Sequence, residues 1–160
     1  VTMANLAQLV NVLPAIVTSE KSLYVNPIYL AFKLYVNHSG NTALRTRTEA
    51  ETYRAEKIGV DPVPYMDCSA TLHEDRGILY LAAINRHKDE DIKGKIELRG
   101  FKPKRKGRVY ELNAEEVSTA NDFDSPDKVK IVEKAVNDVS NQLSYTFPAH
   151  SVTVLELFSL

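Results

Sequence analysis

From Gly40 onward, apolar and polar residues alternate with period two, and turn-forming clusters recur every ten or so residues. A strand places successive side chains on opposite faces, so this pattern specifies half-buried strands joined by tight turns. Met66–Leu72 and Ile78–Ile84 flank the acidic turn Glu74-Asp75-Arg76-Gly77 and predict a β-hairpin. Further strands are predicted at Lys93–Leu98, Arg108–Leu112, Val129–Ala135, Gln142–Phe147 and Val152–Phe158. Thr42–Thr52 has the alternation of a long edge strand, and Pro62 and Pro64 interrupt before the next pairing. The Ser, Asn, Asp and Pro content of Ser118–Asp127 predicts a loop. Many short strands with this punctuation make a sandwich or a barrel.

The period before Gly40 is helical. Leu6, Leu9, Val10, Leu13 and Val17 form one stripe of a helix that Pro14 should kink or end. Asn26-Pro27 begins a second helix, with Ile28, Ala31, Phe32 and Tyr35 on its apolar face and Gly40 available as a left-handed cap. The expected organisation is therefore a helical segment, residues 1–40, followed by a β-domain, residues 41–160. The expected fold class is mostly β, an antiparallel, jelly-roll-like sandwich preceded by two helices.

The chain has 160 residues and a formal net charge of -1, so no global field draws it to nucleic acid or anionic lipid. No apolar run reaches the ~20 residues of a membrane span, and residues 1–18 lack the basic start of a signal peptide. Cys68 is the only cysteine, too few for a disulfide framework and in keeping with a reducing, cytoplasmic location. No nucleotide-binding or nucleophile-elbow motif occurs, and no cofactor is expected.

Acids cluster at Glu74-Asp75, Asp89-Glu90-Asp91 and Glu115-Glu116, which reads as solvated turns rather than as a buried acid and base. His38, His73, His87 and His150 have no metal-ligand spacing. His38 fits a helix end, His87 a turn and His150 the lead into a strand. Lys102-Pro103-Lys104-Arg105-Lys106-Gly107-Arg108 is the densest charge feature. It could grip phosphate or a polyanionic polysaccharide, but in a near-neutral protein it reads first as an exposed inter-strand loop. Asn37-His38-Ser39 matches a glycosylation sequon but coincides with the helix end. The eight tyrosines form no obvious exposed row, tryptophan is absent, and Tyr80 and Tyr145 alternate with apolar residues as core positions do.

Several stretches, in order, resemble family 51 glycoside hydrolases, and among them the α-L-arabinofuranosidases. Met3–Leu13 resembles the last barrel segment of that family, and Asn26–Tyr35 the segment after it. Leu79–Arg86 resembles its central sandwich strand, Asn121–Val129 a loop, and Phe147–Leu157 its last strand. The resemblance implies a longer protein with a catalytic (β/α)₈ barrel ahead of a β-sandwich and two glutamates acting with retention. Neither glutamate has a counterpart in this chain, so no catalytic residue is expected here. By the same resemblance Gln8 corresponds to a glutamine that hydrogen-bonds the sugar; by its position alone it is a polar residue off the apolar stripe. The partners implied are an arabinofuranoside-containing carbohydrate, the barrel portion of the protein, and further copies in a homo-oligomer. A free-standing, non-catalytic carbohydrate-binding or interaction module is the alternative.

Overall fold

A computed structural model describes residues 9–160, apart from the side chains of Ile58, Val60 and Asp61. The chain is mostly β, and its strands pair antiparallel. Strands β1 (Ile16–Thr18) and β2 (Leu23–Val25) form a short ribbon that leads into helix α1 (Pro27–Asn37). β3 (Thr42–Leu44) follows, then the hairpin β4 (Thr52–Ala55) and β5 (Val60–Pro64), and the hairpin β6 (Met66–His73) and β7 (Ile78–Asn85). The remainder is β8 (Ile92–Glu97), β9 (Pro103–Asn113), β10 (Lys130–Asn137), β11 (Gln142–Phe147) and β12 (Val152–Ser159).

Six strands form one sheet in the order β10-β9-β12-β7-β6-β3. Its centre is β12, Val-Thr-Val-Leu-Glu-Leu, nearly all buried because both sheet faces are covered. The inner face carries Leu79, Leu81, Val109, Leu155 and Leu157, packed against Ile92, Ile96, Leu143 and Phe147 of the β8–β11 pair. That is the two-layer packing of a β-sandwich. The outer face carries Tyr80, Tyr110, Leu112 and Val154, and Leu30 and Leu34 of α1 close over it. The β6–β7 turn is the acidic one expected, with Gly77 in the left-handed conformation at φ 59.

Several expectations need correction. The described part of the first predicted stripe is not helical: Val17 lies in β1, and Leu9, Val10 and Leu13 are exposed. Among the described residues α1 is the only α-helix. Pro14 and the pairing of β1 with β2 divert the backbone bonds that a helix would need; Asn26 Nδ2 donates to Pro14 O at 2.8 Å.

Helix α1 begins at Pro27 as predicted and buries Leu30 and Leu34; of the expected face, Ala31 and Tyr35 pack partly against that core while Ile28 and Phe32 face outward. An apolar stripe lies on both sides of this helix, so periodicity alone does not select the side that packs. Gly40 has no positive φ. It is required because a Cβ there would stand 2.1 Å from the backbone carbon of Leu72.

The long strand expected over Thr42–Thr52 is cut to β3, and Pro62 and Pro64 lie within β5, in a two-stranded ribbon where a missing N–H is tolerated.

The two ends of the segment expected to be helical differ sharply in burial. Leu34 is fully buried and Leu9 is 57% exposed. Leu34→Ala should cost about 2–5 kcal/mol through the cavity it leaves, and Leu9→Ala in this chain less than about 0.5 kcal/mol. Denaturant melts of the two variants check this.

Candidate functional site

The acids named from sequence, Glu74-Asp75, Asp89-Glu90-Asp91 and Glu115-Glu116, are all exposed. Among the described residues two carboxylates are buried, Glu111 on β9 and Glu156 on β12, each 6% exposed, and neither stood out in the sequence. Each sits in strand alternation among apolar neighbours, where an acid is unusual, and that irregularity is the signal that could have found them.

The two carboxylates occupy opposite faces of the sheet. Glu111 points inward with Val109, accepts a hydrogen bond from the Tyr145 hydroxyl and pairs with Lys134. Burial and that carboxylate push the Tyr145 phenol well above its ordinary range. Glu156 points outward with Tyr80 and Tyr110. It accepts from the Tyr110 hydroxyl at 3.3 Å and lies 3.6 Å from Arg108, which also reaches Glu133 at 3.6 Å and stands 5.8 Å from the Phe158 ring centre. Burial first, and the Glu156 charge with it, raises the Tyr80 phenol; burial likewise raises Tyr110. A retaining glycosidase needs two carboxyls about 5–5.5 Å apart across one bound sugar. Carboxylates with a sheet between them, each held by a cation and a tyrosine, cannot flank one bond. Both are packing charges that are costly to bury unpaired and are therefore paired.

Among the described residues no three His, Cys, Asp or Glu gather into a metal-binding group. His38 caps the end of α1, where its N–H donates to Leu34 O at 3.0 Å, and its ring stacks on Tyr110 at 3.8 Å and 27°. Burial lowers its pKa, opposed by Glu156 and Glu133, and its Nδ1 is buried without a partner, which favours the neutral ring. His87 is the turn residue expected, with Nδ1 accepting from the backbone of Asp89 and Glu90. His150 has φ 42, and its ring nitrogens lie 2.6 Å from Lys88 O and 3.0 Å from Ala114 O, joining two loops ahead of β12. Tyr53, Tyr65 and His87 come together as a ring ladder with centroids 4.8 and 4.6 Å apart, a grouping the sequence did not reveal. Tyr80 is a core residue as read, and Tyr145 is half-buried.

Two asparagines carry the loops. Asn85 Nδ2 donates to the carbonyls of Glu90, Phe147 and Pro148. Asn121 donates to Val25 O and Val129 O at 2.9 Å each and accepts from Val129 N at 2.6 Å. It thereby ties the 114–128 loop to the strand that precedes α1. Both belong to stretches that carry the family resemblance, and their role here is to satisfy buried backbone. Gln8 lies outside the described residues.

This geometry defines a β-rich domain that holds loops and charges in place and, among the described residues, keeps its two buried acids on opposite sheet faces. Residues 1–151 match the α-L-arabinofuranosidase C-terminal domain family, and the chain belongs to it. An intracellular exo-α-L-arabinofuranosidase of Bacteroides ovatus is 31% identical over 158 residues, which cover 97% of this chain and 30% of that protein. The α-L-arabinofuranosidase of Thermotoga maritima, solved with arabinose, superposes with a TM-score of 0.90 at 36% identity, over 99% of this chain and 34% of that one. The family 51 enzyme of Thermotoga petrophila gives 0.88 at 36% identity, over 96% and 33%. The chain thus spans about a third of the length of the proteins it matches.

Two outcomes follow. Asn121→Ala strands a buried amide and carbonyls, and should cost about 2–4 kcal/mol at roughly 1–3 kcal/mol for an unsatisfied group; urea melts measure it. For His38, a lowered folded pKa means the unfolded chain binds more protons as pH falls below the ordinary 6.5. Stability should therefore decline through that window, and His38→Asn should flatten the decline. Thermal melts from neutral to mildly acidic pH check the sign.

Proposed function

We propose that this chain is the non-catalytic C-terminal part of a retaining α-L-arabinofuranosidase that releases terminal non-reducing arabinofuranosyl residues from arabinose-containing poly- or oligosaccharides. The observation that carries the reading is the family match joined to the site geometry: a domain akin to those of arabinofuranosidases, whose two buried acids lie on opposite sheet faces. In this reading the catalytic pair belongs to a barrel, and residues 1–40 are the end of that barrel, with α1 seated on the sandwich through Leu30 and Leu34. Ile28, Phe32 and Val36, spaced four apart on the open side of α1, support this assignment. They are 42%, 47% and 75% exposed, and most other exposed large apolar side chains among the described residues also lie in residues 9–36. A free-standing module would leave that patch in water, whereas a barrel would cover it. The jelly-roll-like form of the sandwich, self-association of the longer protein and a cytoplasmic location belong to the same reading. The described residues include no helix long and apolar enough to cross a membrane, and the Bacteroides relative is named as intracellular.

The purified 160-residue chain should give no turnover of an aryl α-L-arabinofuranoside, because loss of acid and nucleophile removes a rate enhancement on the order of a millionfold or more. Turnover abolished by replacing one of this chain's own acids overturns the reading. In the longer protein, Gln8→Ala should lower turnover about three- to tenfold, as a neutral hydrogen bond made mainly in the transition state is worth roughly 0.5–1.5 kcal/mol. Its melting temperature should hold. Unchanged kinetics would make Gln8 a surface residue.

A further inference from the structure

The basic run is not a loop. Residues 103–108 open β9, with β10 paired as far as Lys106 on one side and β12 on the other, where the register shifts between Gly107 and Pro103. Lys106 and Arg108 pair in unbroken register with Asn137 and Ala135 of β10 and stand on the outer face with Tyr110. Lys104 precedes them within the irregular stretch and Lys102 lies just ahead of the strand; both are exposed. Position 107, between two of these cations, is glycine because a Cβ there would stand 2.7 Å from Glu156 O on β12. Arg105 is the exception to the row; it pairs with Asp138 at 2.8 Å. The result is a run of four exposed cations within seven residues, with Lys106 and Arg108 on the outer face and Lys104 and Lys102 leading up to them. Helix α1 stops short of it: His38, its cap, stacks on Tyr110, one step further along the strand.

Arg108 is committed to Glu133 and Glu156, whereas no carboxylate lies within ion-pair distance of Lys102, Lys104 or Lys106 among the described residues. Lys106 and Arg108 border an open depression of about 410 Å³ whose other lining includes Asn137 and one carboxylate, Glu133.

We propose that this row binds the carboxylates of a polyuronate, an acidic polysaccharide with one carboxylate on each sugar ring. The inference rests on the reading that the domain serves a polysaccharide-acting hydrolase. The cations do not converge on a point, and the backbone groups of β9 are largely taken by its two neighbouring strands, so the site lacks the clustered N–H donors that hold a single phosphate. It is a track of side-chain charges, which suits a linear polyanion. Phe158 is engaged by Arg108, and no free aromatic stands in the row to stack a nucleobase.

Retention of the 160-residue chain on polygalacturonate tests this without any turnover, so its failure is separable from failure of the hydrolase reading, which arabinofuranoside kinetics decide. The wild-type chain should be retarded by polygalacturonate at low salt and not by neutral arabinan. Retention should fade between about 50 and 300 mM salt, as screening shortens the reach of exposed charges. The double variant Lys104→Glu/Lys106→Glu should bind at least about tenfold more weakly, since like charges then face the polyanion. The control Lys93→Glu/Lys95→Glu makes the same charge change at exposed positions of β8, in the other layer, and should bind as wild type does. Circular dichroism melts of both variants check that neither loses its fold; all four residues are exposed. Absence of wild-type retention, equal weakening by the two double variants, or equal affinity for polyphosphate or single-stranded DNA would each overturn the proposal.

Discussion

The structure depends on the burial of β12 on both faces. A strand covered on one side by the β8–β11 layer and on the other by α1 must be nearly continuous in apolar residues, and Val152–Leu157 comes close. Glu156 is the interruption, and its cost dictates much around it. An ionised carboxylate at that depth is tolerable only with partners, and Arg108 and the Tyr110 hydroxyl, with Tyr80 alongside, supply them. Those partners in turn give His38 a flat ring to stack on at the end of α1. The helix is thus anchored by Leu30 and Leu34 along its length and by an aromatic contact at its end.

Glu111 shows the same logic on the opposite face, with Lys134 and Tyr145. The pair shows how this domain holds two buried acids without bringing them together as an acid and a base. Catalysis needs two carboxyls converging on one ligand, and here a sheet separates them. Buried asparagines complete the design by binding loop carbonyls that would otherwise lie unsatisfied.

Much of the β-domain was legible because period-two alternation reports a half-buried strand directly. β7, β8, β11 and β12 fall within a residue or so of their expected limits. The errors arose where that signal is ambiguous. A helix apolar on both sides gives no preference between Leu30/Leu34 and Ile28/Phe32, and Val10, Leu13 and Val17 fit a helical stripe although the backbone there turns into β1. The basic run reads as a loop because the residues between its lysines are proline, arginine and glycine, none of them a core signal. The buried acids were missed because pairing partners lie 23 to 48 residues away, as Lys134 does from Glu111 and Arg108 from Glu156. Gln8 rests on the family resemblance alone.

Glu111 and Glu156, paired on opposite sheet faces, maintain the fold and are placed for no shared chemistry. The direct measurement is kcat on an aryl α-L-arabinofuranoside, together with the melting temperature, for the longer enzyme carrying Glu156→Gln and, separately, Glu111→Gln. The account predicts a lower melting temperature for each, from a carboxylate removed from its cation, and a kcat within about twofold of wild type when assayed well below the melt. A kcat reduced a thousandfold or so with the melting temperature unchanged would contradict it.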